Sequence, residues 1–121
     1  MVAMEFRVDF YTTESDQSPV RDWLQELKQQ TPSLHALAIA GINKLKDRRY
    51  HAPPLSEHVE GDLFELRVGR KNIARVLYFF RVGRRIILLH GFVKKNQHMP
   101  LMDKELALRR MADYKRRYPD E

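Results

Sequence analysis

Nine of the chain's 22 Lys and Arg residues fall between Leu66 and Met102, a stretch that holds no Asp or Glu. They are Arg67, Arg70, Lys71, Arg75, Arg81, Arg84, Arg85, Lys94 and Lys95. The other 13 basic residues share the rest of the chain with all 16 acidic ones. The formal net charge of +6 is therefore a strongly cationic segment on a mildly acidic remainder. Such a segment favours a polyanionic partner. The alternative is a solvated basic face serving solubility alone, although soluble surfaces usually intersperse both signs. A cationic face with few carboxylates can stabilise the extra negative charge of a phosphoryl transition state without a metal. RNA supplies its own nucleophile, the 2′-OH, so the protein need only orient, neutralise and move protons.

The histidines divide by surroundings. His98, in the loop Asn96 to Pro100, is the best placed for proton transfer, whereas His90 is hemmed in by Leu88, Leu89 and Phe92 and reads as a satisfied core residue. His35, His51 and His58 show no mutual metal-ligand spacing. The chain has no Cys, which excludes a disulfide scaffold, a thiolate metal site and a thiol nucleophile. No Ser-His-Asp order, phosphate-binding P-loop or Gly-rich dinucleotide turn occurs, and no metal or other cofactor is expected.

Positioning these residues requires a frame, and the hydrophobic periodicity supplies one. Glu5 to Thr12 alternates with period two through Phe6, Val8 and Phe10, which predicts a half-buried strand. Ser18-Pro19 offers an N-cap and a first helical position, followed by a stripe of Val20, Trp23, Leu24 and Leu27. Thr31-Pro32-Ser33 starts a second helix, with Leu34, Leu37, Ala38, Ile42 and Leu45 as its expected buried stripe and an end near Lys46-Asp47. Pro53-Pro54 and Gly61-Asp62 mark loop or turn. Strands are then predicted over 63–68, 73–82 and 86–93, joined by short turns, the last two apolar on both faces. Asp103 can cap a final helix carrying Leu106, Met111 and Ala112. The order is β-α-α-β-β-β-α: an α+β fold with helices packed on one face of an antiparallel sheet. A length of 121 residues suits one domain, 1–121. The opening residues lack a signal peptide's apolar region, and no apolar run approaches the ~20 residues that span a bilayer. A cytoplasmic protein with no membrane association is expected.

Alternation places Glu65 and Arg67 on the face opposite Phe64, Leu66 and Val68. Arg75 lies in an otherwise apolar strand. It either projects into a concave anion site or forms a structural salt bridge, with Glu65 as the natural partner. Lys94-Lys95 end the next strand, and alternation allows only one of them to join the Arg67/Arg75 face. Tyr78 and Phe92 could stack on bases or pack in the core, and Arg70, Lys71 and Arg81 extend the candidate RNA-binding surface. Trp23 is core or partner interface.

The blocks Leu63-Phe64-Glu65-Leu66-Arg67, Arg75-Val76-Leu77-Tyr78 and Leu88-Leu89-His90-Gly91-Phe92-Val93-Lys94-Lys95 occur in series, with Gln97, Pro100 and Glu105-Leu106-Ala107 after them. In this the chain resembles the HigB-like branch of the RelE toxin superfamily over nearly its whole length. The resemblance implies a cytoplasmic toxin of a type II toxin–antitoxin pair: a metal-independent mRNA interferase, an endoribonuclease that cuts mRNA on the ribosome. It also implies a cognate antitoxin, in this branch usually a helix-turn-helix protein, and no cofactor. Carried over by position, Arg75 and Lys95 would contact the scissile phosphate, with Lys94 beside them. Arg67 would contact the phosphate or aid activation of the 2′-OH. Two departures stand out: Glu65 occupies a position where some relatives have Lys, and the nucleobase-binding Tyr of some relatives has no equivalent near Leu101, leaving Gln97 or His98 as substitutes. Two other readings are a non-enzymatic RNA- or ribosome-binding module and a degenerate relative acting in autoregulation with its antitoxin.

Overall fold

The computed structural model describes residues 5–94 and 99–119. Its elements run β1 (Arg7–Phe10), α1 (Pro19–Gln30), α2 (Pro32–Lys44), β2 (Ser56–Glu60), β3 (Leu63–Val68), β4 (Ala74–Arg81), β5 (Arg85–Val93) and α3 (Leu101–Arg117). The strands form one sheet in the order β1-β5-β4-β3-β2. This is the expected α+β fold, with one more strand than the periodicity showed.

Both faces of β4 and β5 are apolar, so each needs cover. On one face Val76, Tyr78, Ile86 and Leu88 pack with Val20, Leu24 and Leu27 of α1 and Leu34, Ala38 and Ile42 of α2. On the other, Leu77, Phe79, Ile87 and Leu89 pack with Ala107 and Met111 of α3. At about 1.5–3 kcal/mol for each large apolar side chain removed from water, neither face could stay open. The expectation of helices on one face is thereby corrected: α1 and α2 cover one side and α3 the other. The sheet is also mixed, because β1 pairs parallel with β5 while the remaining neighbours are antiparallel.

Other local expectations shift as well. β2 reads Ser-Glu-His-Val-Glu, an edge strand whose mostly polar, solvent-facing residues hide its period. Leu37, expected in the buried stripe of α2, is half exposed, whereas Gly41, outside the expected stripe, is buried; the helix ends at Lys44. In α3 Ala107 and Met111 are buried, while Ala112 faces solvent. Asp103 does not cap that helix. Pro100 holds the N-cap position, and the Asp103 carboxylate is engaged by His90 of β5.

One irregularity matters for the site. Leu77 opposes His90 while Tyr78 opposes Leu88, so Leu89 is an extra residue in β5. This β-bulge resets the alternation of the strand's last residues. It directs His90 toward α3 and leaves Gly91 against the indole of Trp23. Among the described residues no helix is long and apolar enough to cross a membrane.

Candidate active site

Register brings together what the sequence keeps apart. Arg67 on β3 pairs with Arg75 on β4, and Glu57 on β2 pairs with Glu65 on β3. Two arginines opposite each other on one face repel unless a carboxylate intervenes. Glu65 is that carboxylate. Its Oε1 accepts from Arg75 Nη1 at 2.6 Å and its Oε2 from Arg67 Nε at 3.2 Å. Glu65 and Arg75 are buried, with 5% and 6% of their surface exposed, so the pair stands largely out of water. Arg67 is less enclosed and also forms an ion pair with Glu57.

Lys94 follows β5 at the same end of the sheet. Partial burial holds its ammonium below the usual lysine range, with the Arg75 charge acting in the same direction; Glu65 opposes the shift. Burial likewise lowers the Arg67 guanidinium, with Arg75 adding to the effect. The basic stretch is free of acids along the chain but not in space, because Glu57 and Glu65 fold into it from just upstream. Arg70 and Lys71 are exposed on the β3–β4 turn, at that same end.

A second polar group lies between β5 and α3. Arg110 Nη1 donates to His90 Nδ1 at 3.1 Å, and His90 Nε2 lies 2.6 Å from Asp103 Oδ1. An arginine can only donate, so Nδ1 is the acceptor and the ring proton sits on Nε2, directed at the carboxylate. Burial, the largest cause, holds His90 below its ordinary pKa, and its ring stacks on Phe92 with centroids 5.6 Å apart. His90 is thus a neutral link between sheet and helix. Two further histidines hold local turns: His51 Nε2 donates to the Leu45 carbonyl and His58 Nε2 to the Gly61 carbonyl.

Of the residues singled out from the sequence, Arg67, Arg75 and Lys94 come together, with Arg70 and Lys71 close by. Arg81 does not join them. It ends β4 six residues beyond Arg75, about 20 Å away at strand rise, where its Nη2 donates to the Tyr118 carbonyl and its guanidinium lies over the Tyr114 ring. Tyr78 and Phe92 are also corrected as base-stacking residues. Tyr78 is wholly buried and donates to Ser56 Oγ at 2.8 Å, and its pKa is pushed up to about 12 by that burial. Phe92 lies in the core beneath α3. Lys95, Gln97 and His98 lie outside the described residues. Of the two readings of Arg75, the described protein shows the ion pair with Glu65. Glu57 is the member that sequence reasoning missed, since only the β2 register reveals it.

Residues 22–112 match a family model described as phage derived protein Gp49-like (DUF891). A search of curated proteins finds no match.

Proposed function

The chain belongs to the phage-derived Gp49-like family, a RelE/toxin-like family of toxin–antitoxin systems, and on that premise we propose that it is a toxin that cleaves mRNA on the ribosome. The reading extends to a single catalytic domain, residues 1–121, of the HigB-like type, cytoplasmic and silenced by a helix-turn-helix antitoxin. The observation that carries it is the convergence of Arg67, Arg75 and Lys94 at one end of the sheet, around the buried Glu65 carboxylate.

The chemistry is a transesterification within the RNA. The 2′-oxygen attacks the adjoining phosphorus, the O2′–P bond forms, and the P–O5′ bond breaks. The 2′-OH gives up its proton and the 5′-oxygen gains one. The products are a 2′,3′-cyclic phosphate, or the 3′-phosphate from its hydrolysis, and a 5′-OH. Negative charge grows on the phosphoryl oxygens as the fifth bond forms. Arg75, Lys94 and Lys95 are assigned to those oxygens, and Arg67 to the phosphate or to the 2′-OH. His98 is the candidate proton carrier. Removing one such preorganised donor typically slows the chemical step by about 10²–10³-fold.

Inducible expression of the wild type, with the 5′ ends of translated mRNA mapped by primer extension, tests the proposal. The wild type should arrest growth and create new ends, while an Arg75→Ala/Lys95→Ala variant should do neither. Equal toxicity of the two would overturn the site assignment. A binding module that blocks translation without cutting is the second reading, favoured by the carboxylates Glu57 and Glu65 that already engage the two arginines. Arrest without new ends would establish it.

A further inference from the structure

A cavity of about 330 Å³ adjoins the basic cluster, and Arg67 belongs to both. Lys44 at the end of α2, Arg49 and Tyr50 in the helical turn Arg48–Tyr50, and the loop from Ala52 to Leu55 form the rest of its wall. The Tyr50 ring is half-buried and carries cations: Lys44 Nζ is 5.4 Å and the Arg49 guanidinium carbon 5.7 Å from its centroid. Arg49 is itself steadied by Asp47, to which its Nη2 donates at 2.7 Å. The cavity therefore joins a flat aromatic and aliphatic lining to a cationic rim that continues into the cluster.

That combination matches one ligand chemistry. A planar ring stacks on an aromatic or proline surface with little regard to its hydrogen-bonding edge, and an attached phosphate meets the lysine and arginines. The volume lies near the lower end of ligand pockets, enough for one nucleotide rather than a folded peptide. We propose that this cavity is a nucleotide subsite. It seats the base next to the phosphate held by Arg67, so that Tyr50 positions the RNA strand over the cluster. The proposal rests on the RNA-cleaving reading above and supplies the base contact that Tyr78 and Phe92 cannot make from within the core.

Titration of the full chain with a nucleoside 3′-monophosphate, ribose phosphate and inorganic phosphate tests it, followed by calorimetry and by the NMR signals of the Tyr50 ring. The nucleotide should bind about tenfold more tightly than ribose phosphate and shift the Tyr50 ring signals, which ribose phosphate should leave in place. In Tyr50→Ala the nucleotide's advantage should vanish while affinity for inorganic phosphate stays unchanged. The wild-type ring signals keep the test decisive should that variant fail to fold. Equal binding of nucleotide and ribose phosphate, or an unmoved Tyr50 signal, would overturn the subsite. Cleavage of translated mRNA by a wild type lacking base-dependent binding overturns this proposal alone. Base-dependent binding by a protein that never cuts RNA upholds it and overturns the nuclease reading instead.

Discussion

Glu65 decides the character of the site. Both of its oxygens are committed to guanidinium groups, so it spaces Arg67 and Arg75. A buried charge that loses its partner costs about 3–5 kcal/mol, whereas removing both charges together is often close to neutral. Glu65→Gln should accordingly lower unfolding stability in urea by an amount of that order, and Glu65→Leu/Arg75→Met should recover most of it. A loss below about 1 kcal/mol in the single variant would show the pair to be dispensable. Elsewhere, Asp113 accepts from the Tyr11 hydroxyl at 2.6 Å and from Arg117 Nε at 3.0 Å; chiefly through the Tyr11 bond, its carboxyl is held at about 2. A carboxyl lowered on folding contributes stability above its unfolded value near 3.8 and loses it as pH falls toward 2. Melting temperature should therefore drop through that window, and Asp113→Asn should flatten the drop. Alternation made Glu65 and Arg67 legible as same-face neighbours. It left Arg75 open, because a pairing across strands needs a register that one strand's sequence does not contain.

Between β5 and α1 the contact is set by the absence of a side chain. Three atoms of the Trp23 indole occupy the space that a Cβ on Gly91 would need. Gly91→Ala must displace a ring rather than the loose end of a chain, and overpacking of that kind costs about 1–3 kcal/mol. Thermal melts and tryptophan emission check this: the variant should melt lower with altered emission, and Gly91→Ala/Trp23→Leu should melt higher than Gly91→Ala. An unchanged melt in Gly91→Ala would show the indole free to move. The stripe of α1 and the two-sided apolar character of β4 and β5 were readable from spacing alone. β2 was not, since an edge strand leaves its outer residues in water and Val59 alone in it is apolar. The Leu89 bulge was hidden too, because an extra residue in an all-apolar run leaves no mark on the pattern. With it went the direction of His90 and the true partner of Asp103.

Over the whole molecule, part of the charge asymmetry visible in the sequence becomes a place: Arg67, Arg70, Lys71, Arg75 and Lys94 gather at the end of the sheet where the β3–β4 turn and the end of β5 meet, while Arg81, Arg84 and Arg85 lie at the opposite end. Folding also tempers it, by bringing Glu57 and Glu65 into a stretch that has no acid of its own. The cations Arg67 and Arg75 are therefore held and partly neutralised by carboxylates that a phosphate, on the proposed reading, would have to displace. That suits an enzyme whose substrate brings the nucleophile and whose own groups supply position and charge. Attack by the 2′-oxygen is tested most directly by a single-atom change in the substrate. Once a cleavage position has been mapped, mRNA carrying a 2′-deoxy sugar on the 5′ side of that phosphate is placed on translating ribosomes with the protein. Cleavage at that position should disappear, while the unsubstituted mRNA is still cut to give 5′-OH ends. Undiminished cutting of the deoxy substrate, or ends bearing a 5′-phosphate, would contradict the account.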